Sequence, residues 1–546
     1  MKLAHNRQRP LRPALALVFT LFAFLLGCSE ESKQPGDNNL QHLVLANGTE
    51  PMDLDPHTVT GTPERNIIQA LFEGLLARDT ETLELIPAVA SDWKHNPADN
   101  RYRFTLRDDA RWSNGEPVTA QDFLYSWQRL LHPALANEYA DSYYAIANAE
   151  AYNNGNIDDF SKVGVKAIDK KTLEFNLSNN DPLFLESLTT MNTYPVHRNT
   201  VEAHGEIGER GSPWTRPENI VSNGPYVLQD WKPHEKISLR PNTNYWDAEA
   251  VKLEQLSFLP IDDANTEERM FRTGKVHVTL GGYLGAEKVR SYRDKRPDSI
   301  RTSPLWASYF YILNTKIKPL DDVRVRRALA LTINRELIVE NVTGTGQIVA
   351  ANLTPALLEG YAVDSGIRYD PEQARALLAA AGFPGGQGFP ELTVLYNTVE
   401  HHKKIALAIQ QMWARELGIA VTLRNEEWKV YLDSRKQGRY DIARAGSVGT
   451  SLDPGDFLQS YTGSSGLNDT GWKNSSYDTL VEQARETLSR EQRFALYSQA
   501  ETILSTEIPI IPIYYYTKSK LISPSVSGWN ENAIDYISYK NIELAP

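Results

Sequence analysis

The chain contains one cysteine, Cys28, in 546 residues. No disulfide can form within it, so the fold must be held by buried apolar surface. The position of that cysteine is as constraining as its number. Lys2, Arg7, Arg9 and Arg12 give a basic start with no acid before Glu30, and Ala14 to Leu26 is an apolar run broken only by Thr20. Such a run is too short to span a bilayer, which takes about 20 residues. Basic, then apolar, then small is the layout of an export signal. Leu25-Leu26-Gly27-Cys28 has the form of a bacterial lipobox, in which the thiol is diacylated and the chain is cut before it. Processing would leave 519 of the 546 residues and, by removing four cations and no acid, move the net charge from −12 to −16. Residues 28–39 are polar, with Pro35 and Gly36, and read as a flexible tether. No later segment reads as a membrane span, so the expected membrane contact is the lipid anchor alone.

With 57 Lys+Arg against 69 Asp+Glu, a broad basic surface for nucleic acid is excluded. The 11 Trp, 26 Tyr and 16 Phe argue against disorder. The length suggests two to four structural units. Strand signals at His42–Ala46, Tyr102–Leu106, Val163–Leu177, Ala420–Leu423 and Ile510–Tyr516 interleave with helical patterns at Glu64–Leu76, Val323–Val342, Pro371–Ala381, Lys403–Leu417 and Leu480–Leu504, the last broken near Ser489. Thr119 with Asp122 predicts a helix cap. This is an α/β pattern, too irregular for one barrel or one nucleotide-binding sheet.

Catalytic signatures are not found. There is no His-Glu-x-x-His, no phosphate-loop or dinucleotide glycine spacing, and no Gly-x-Ser-x-Gly. Neighbouring His401 and His402 would diverge by about 100° on a helix and could not share one metal ion. We expect no catalytic residue, no metal and no cofactor. An unrecognised envelope hydrolase is the weakest alternative.

An ordered set of segments does carry information. It comprises Leu54-Asp-Pro-His57, Leu71-Phe-Glu-Gly-Leu-Leu76, the run from Ala110-Arg-Trp-Ser-Asn-Gly115 to Ser126-Trp-Gln-Arg129, Asn219-Ile-Val-Ser-Asn-Gly-Pro-Tyr226, Asp322-Val-Arg-Val-Arg-Arg-Ala-Leu329, Tyr396 to Lys404, Glu427-Trp-Lys429, Tyr440 to Gly446 and Pro512-Ile-Tyr-Tyr-Tyr516. Together they resemble the family 5 extracellular solute-binding proteins, especially the oligopeptide-binding proteins of ABC importers. The resemblance implies a two-lobed periplasmic-binding-protein-like clamp of type II with an extra domain, mixed sheets and discontinuous lobes. Lobe I would comprise 40–72, 197–304 and 518–546, the extra domain 73–196, and lobe III 305–517. It further implies a monomeric periplasmic lipoprotein that closes on an oligopeptide or peptide-like ligand and passes it to permease subunits. A sensor or adaptor not coupled to uptake would need the same clamp.

In this family a peptide adds to the protein as an extra strand. Position by position, the resemblance gives Gly446 and Val448 the main-chain contacts. Arg435, Arg444 and His402 would meet ligand carboxylates, and Tyr139, Asn397, Trp428 and Tyr516 would line pockets. Thr62 would lie where lobe I reaches the cleft. Ser447 replaces a large aromatic, and Ala307 and Val448 occupy the positions of a cleft disulfide. Thr450 stands where close relatives place an Asp that pairs with the ligand α-ammonium. Either Asp453 or Asp456 takes over that anchor, or the ligand lacks a free α-amine, or ordinary peptides bind more weakly.

Overall fold

The computed structural model describes residues 41–281 and 284–545. The expected signal 1–27, Cys28 and the expected tether to residue 39 lie outside the described residues, as do the side chains of Glu400, Trp428 and Lys429. Among the described residues no helix is long and apolar enough to cross a membrane.

Three main sheets organise the chain. In the first, His42–Ala46 lies parallel between Gln255–Leu259 and Val278–Thr279, and the antiparallel strands Lys236–Pro241 and Tyr226–Lys232 extend it. The second is wholly antiparallel: Ala90–Asn96, Arg101–Leu106, Thr172–Asn176 and Val165–Ala167. The third runs Ile348–Val349, Ile510–Leu521, Ile300–Leu313, Ile442–Val448, Leu392–Asn397, Val421–Glu426. One apolar core joins the first two sheets, and two cores clasp the third. The strand Ile300–Leu313 shows why: Tyr309, Tyr311 and Leu313 enter one core while Trp306, Phe310 and Ile312 enter the other, the two-residue period of a strand buried on both faces.

Ile300–Leu313 and Ile510–Leu521 are long because they serve two bodies. Residues 300–304 pair with 517–521, and 308–312 pair with 510–515, with the register broken between Pro304 and Ser308. At the 521 end, Leu521 donates its N–H to Thr279 Oγ1 (2.9 Å), and Ile522 bridges Val278 of the first sheet. The break therefore separates the end of this strand pair that touches the first sheet from the part that pairs with Ile442–Val448 and Ile348–Val349. The third sheet extends the Ile510–Tyr516 strand expected from the sequence to Leu521.

Two helical expectations need correction. The helix expected over 64–76 is Thr62–Leu71, because Phe72 turns extended and Leu76–Arg78 forms a short strand. The helix expected over 323–342 stops at Leu331. The Thr332 hydroxyl bonds back to the carbonyls of Ala328 and Leu329, and Asn334 caps a new, wider turn by accepting from Leu337 N. The cap at Thr119–Asp122 and the break at Ser489 form as expected.

Leu54-Asp-Pro-His57 and the end of the 110–129 run meet in one buried clasp. Arg129 donates to both oxygens of Asp55 (2.6 and 2.9 Å), with exposures of 0% and 1%. His57 Nε2 lies 3.0 Å from Tyr194 O, and Arg129 also donates to His57 Nδ1 (3.1 Å). These segments fasten the helix Ala120–Leu130 to the chain that follows the first strand.

Candidate functional site

The segment Ile442-Ala-Arg-Ala-Gly-Ser-Val448 is an inner strand that becomes an edge partway along. Asn314 N donates to Asp441 O (2.9 Å) and Gly449 N to Trp306 O (2.8 Å), bracketing its ladder with Ile300–Leu313. In an antiparallel pair the bonded residues alternate. Residues 443, 445 and 447 therefore bond to that strand, and 442, 444, 446 and 448 turn their main-chain groups the other way. On that other side Leu392–Asn397 pairs only with Ile442 and Ala443. The Arg444 carbonyl accepts from the Tyr431 hydroxyl. Gly446 and Val448 are left, among the described residues, with no main-chain partner on the outer side. Val448 is 74% exposed.

Beside this edge, aromatic side chains enclose Arg444. It donates to Tyr516 Oη (2.7 Å) and reaches Asn397 Oδ1 (3.5 Å), and its guanidinium lies 4.9 Å from the centre of the Tyr309 ring. Tyr309 stacks on Tyr514 (4.6 Å), and His402 tilts against Tyr309 (5.5 Å). The Nε of Arg444 is buried without a partner, and no carboxylate of the described residues pairs with this guanidinium. Burial alone would lower the Arg444 pKa, but the surrounding tyrosines, Tyr516 first, hold it above its ordinary value. His402 is 8% exposed, and its Nδ1 has no partner. Burial, then the charge of Arg444, pushes its pKa down to about 3, so at neutral pH it offers a neutral imidazole and no cation. Arg444 is half-buried, and an anion beside it would pair with a guanidinium that no carboxylate of the described residues holds.

The other expected residues divide. Arg435 already pairs with Asp469 (2.8 Å) and reaches Tyr431 Oη (3.4 Å), so its charge is matched within the protein. Ser447 is half-buried opposite Ser308, and Ala307 faces Val448 directly across the ladder. Thr62 is exposed at the start of its helix, and its side chain makes no cap. Tyr139, 39% exposed, begins a short turn in the 73–196 segment; neither it nor Thr62 has a recorded bond or ring contact with the Arg444 cluster. The Trp428 side chain lies outside the described residues. A cavity of about 690 Å³ opens beside the helix that carries His401 and His402, between Lys404, Leu407 and Gln411 on that helix and Ala286 and Arg290 on the helix Ala286–Lys295.

Thr450 is exposed, and its N–H donates to Asp456 Oδ2 (2.8 Å). Asp456 also accepts from Ser451 N (2.9 Å), Ser451 Oγ (2.6 Å) and Trp306 Nε1 (2.8 Å). Asp453 is 1% exposed and is bound to Arg493 (2.8 Å) and Gly455 N (2.9 Å). Both acids that could have replaced an amine anchor are thus engaged inside the protein.

Sequence reasoning missed Tyr309, Tyr514, Tyr431 and Trp306. The two-residue spacings Tyr309–Tyr311 and Tyr514–Tyr516 were a usable signal, since they put bulky polar-tipped rings on one sheet face.

Two lobes joined by crossing strands, with an open main-chain edge and an unpaired guanidinium beside it, define a binding protein of the two-lobed periplasmic class. The chain belongs to the bacterial extracellular solute-binding proteins, family 5, whose model matches residues 84–469. It is 37% identical over 513 residues to the periplasmic oligopeptide-binding protein OppA of Salmonella typhimurium, covering 92% of each chain. It is 38% identical over 508 residues to the periplasmic murein peptide-binding protein MppA of Escherichia coli, covering 91% of this chain and 92% of the relative. Among solved structures it matches the unliganded open form of the murein tripeptide-binding protein MppA with a TM-score of 0.81 at 36% identity, covering 92% of this chain and 97% of that one.

Proposed function

We propose that this protein is the substrate-binding lipoprotein of a bacterial ABC importer, exported and anchored through Cys28. It captures an oligopeptide or peptide-like ligand between lobe I (40–72, 197–304, 518–546) and lobe III (305–517), with 73–196 as an extra domain. Closure about the crossing strands at 304–308 would enclose the ligand before delivery to the permease. The observation that carries this reading is the open edge at Gly446 and Val448 beside the unpaired Arg444. An added peptide strand would complete the ladder while its carboxylate neutralised the guanidinium.

The ligand lacks a free α-amine on this reading. Thr450 is neutral, and recruiting Asp456 or Asp453 would break four contacts or a buried ion pair. Burying an unpaired ammonium there would cost several kcal/mol. Calorimetric titration with matched free and N-acetylated peptides tests both statements. Binding of the acetylated peptide at least as tight as the free one is expected. A strong preference for the free amine would overturn the blocked-ligand reading, and absence of binding to either would count against peptide capture.

A further inference from the structure

The turn that ends the open edge is organised around one carboxylate. Asp456 takes four donors: Trp306 Nε1, Thr450 N, Ser451 N and Ser451 Oγ. Past Gly449, whose N–H still reaches Trp306 O, Asp456 is, among the described residues, the acceptor for the N–H groups of both Thr450 and Ser451. Trp306 also donates its main-chain N–H to Ala533 O (2.8 Å), so one residue ties the acid, the turn and the C-terminal segment together. The fit is close: a Cβ at Gly449 would collide with the Trp306 indole and the Asp456 carboxylate. Trp306 sits in the stretch between Pro304 and Ser308 where the crossing strands lose register.

We infer that Asp456 is a positioning residue for ligand capture: by holding Gly449–Ser451 against Trp306, it fixes where Val448 presents its main-chain N–H and carbonyl. It does not touch ligand. The ladder to Ile300–Leu313 holds the inward groups of the strand, but among the described residues nothing pairs with the outward groups of Val448, so their direction depends on the turn that follows. With no disulfide joining Ala307 to Val448, this carboxylate supplies the restraint at the open end of the edge. The inference rests on the peptide-binding reading above, and its test is arranged to separate the two.

The test uses Asp456→Asn in the full chain, with Ser451→Ala as a milder variant that keeps the carboxylate and both main-chain bonds. An Asn side chain can keep the four contacts only with its oxygen toward the three N–H groups and its amide donating to Ser451 Oγ, and it loses the negative charge that strengthens all of them. Amide hydrogen exchange on unliganded protein is expected to rise about tenfold or more at Thr450 and Ser451 in Asp456→Asn and to stay unchanged at Ala443 and Ala445, with a smaller rise in Ser451→Ala. Affinity for free and N-acetylated peptides is expected to fall by the same factor, about tenfold. Unchanged exchange at 450 and 451 overturns the inference. So does a loss confined to the free-amine peptide, which would make Asp456 a direct amine anchor. If wild-type protein binds neither peptide, the peptide reading fails and exchange alone decides the positioning role. If Asp456→Asn does not fold, Ser451→Ala decides: raised exchange at 450 and 451 with weakened binding supports the role, and wild-type values for both overturn it.

Discussion

Arg444→Ala is expected to weaken binding of a peptide with a free C-terminal carboxylate by about 30- to 1,000-fold, equivalent to about 2–4 kcal/mol for truncating one partner of a desolvated charge pair. The loss should be specific to the carboxylate. A C-terminally amidated peptide should bind wild-type protein weakly, and Arg444→Ala should weaken it little further. The two changes together then reveal the coupling as a double-mutant cycle. Arg444→Lys should recover only part of the affinity. An ammonium cannot keep the bond to Tyr516 Oη and also present a planar fork to a carboxylate. His402 compensates little, because burial, the largest cause of its lowered pKa, remains when Arg444 is removed. Without ligand the same substitution should change thermal stability little, since the half-buried guanidinium has no carboxylate partner among the described residues and gives up only its bonds to Tyr516 and Asn397 and its contact with the Tyr309 ring. Binding lost with stability retained is the signature expected of a group kept for ligand. Equal losses for the acid and amide peptides would mean that the carboxylate docks elsewhere.

How much of this was legible in the sequence depended on range. The strand around Gly446 could be identified by resemblance, and the spacing of small residues suits it: Ala443 and Ala445 enter a core already filled by Trp306 and Phe310. Its openness could not be read, because that depends on Leu392–Asn397 ending its pairing at Ala443. The same holds for charge. Arg435 and Arg444 are nine residues apart and look equivalent in sequence, yet Asp469 satisfies one and nothing comparable satisfies the other. Asp456 carries no sequence mark that separates it from Asp453, and only Trp306, about 150 positions earlier, gives it a distinct role. Local signals such as the Thr119 cap and the Ser489 break were reliable because their partners lie within four residues. The long 323–342 helix failed although its stop signal is equally local. Its apolar period persists through Thr332, while Thr332 and Asn334 bond to nearby backbone and end the helix.

The Asp55–Arg129 clasp should show the largest effect on stability. Arg129→Ala leaves the Asp55 carboxylate buried and uncompensated, and the expected cost at pH 7.5 is about 3–5 kcal/mol. Calorimetric melting should place that loss in the transition that includes the first sheet and the 73–196 segment, which share one core. Asp55→Leu combined with Arg129→Met should recover most of it, because the stranded charge is then gone. The pH dependence discriminates further. Burial alone would raise the Asp55 pKa, but the charge and bonds of Arg129 bring it below its ordinary value, so its contribution is complete above the unfolded pKa, near 3.9, and is lost as pH falls through the folded one. His57 is pushed down to about 4 by burial, then by Arg129. The unfolded chain therefore takes up a proton at His57 that the folded chain refuses, and the wild-type protein should lose stability as pH drops from about 6.5 to about 4. Removing Arg129 leaves burial in place but shifts the balance at His57 toward protonation: the repelling charge is gone, while the Asp55 carboxylate beside it still attracts a proton. The gap between wild type and Arg129→Ala should accordingly be wide at pH 7.5 and narrower at pH 5.5. A gap that stays constant or widens on acidification would mean that Asp55 and His57 do not share a field in the folded protein, and that the clasp stabilises through packing alone.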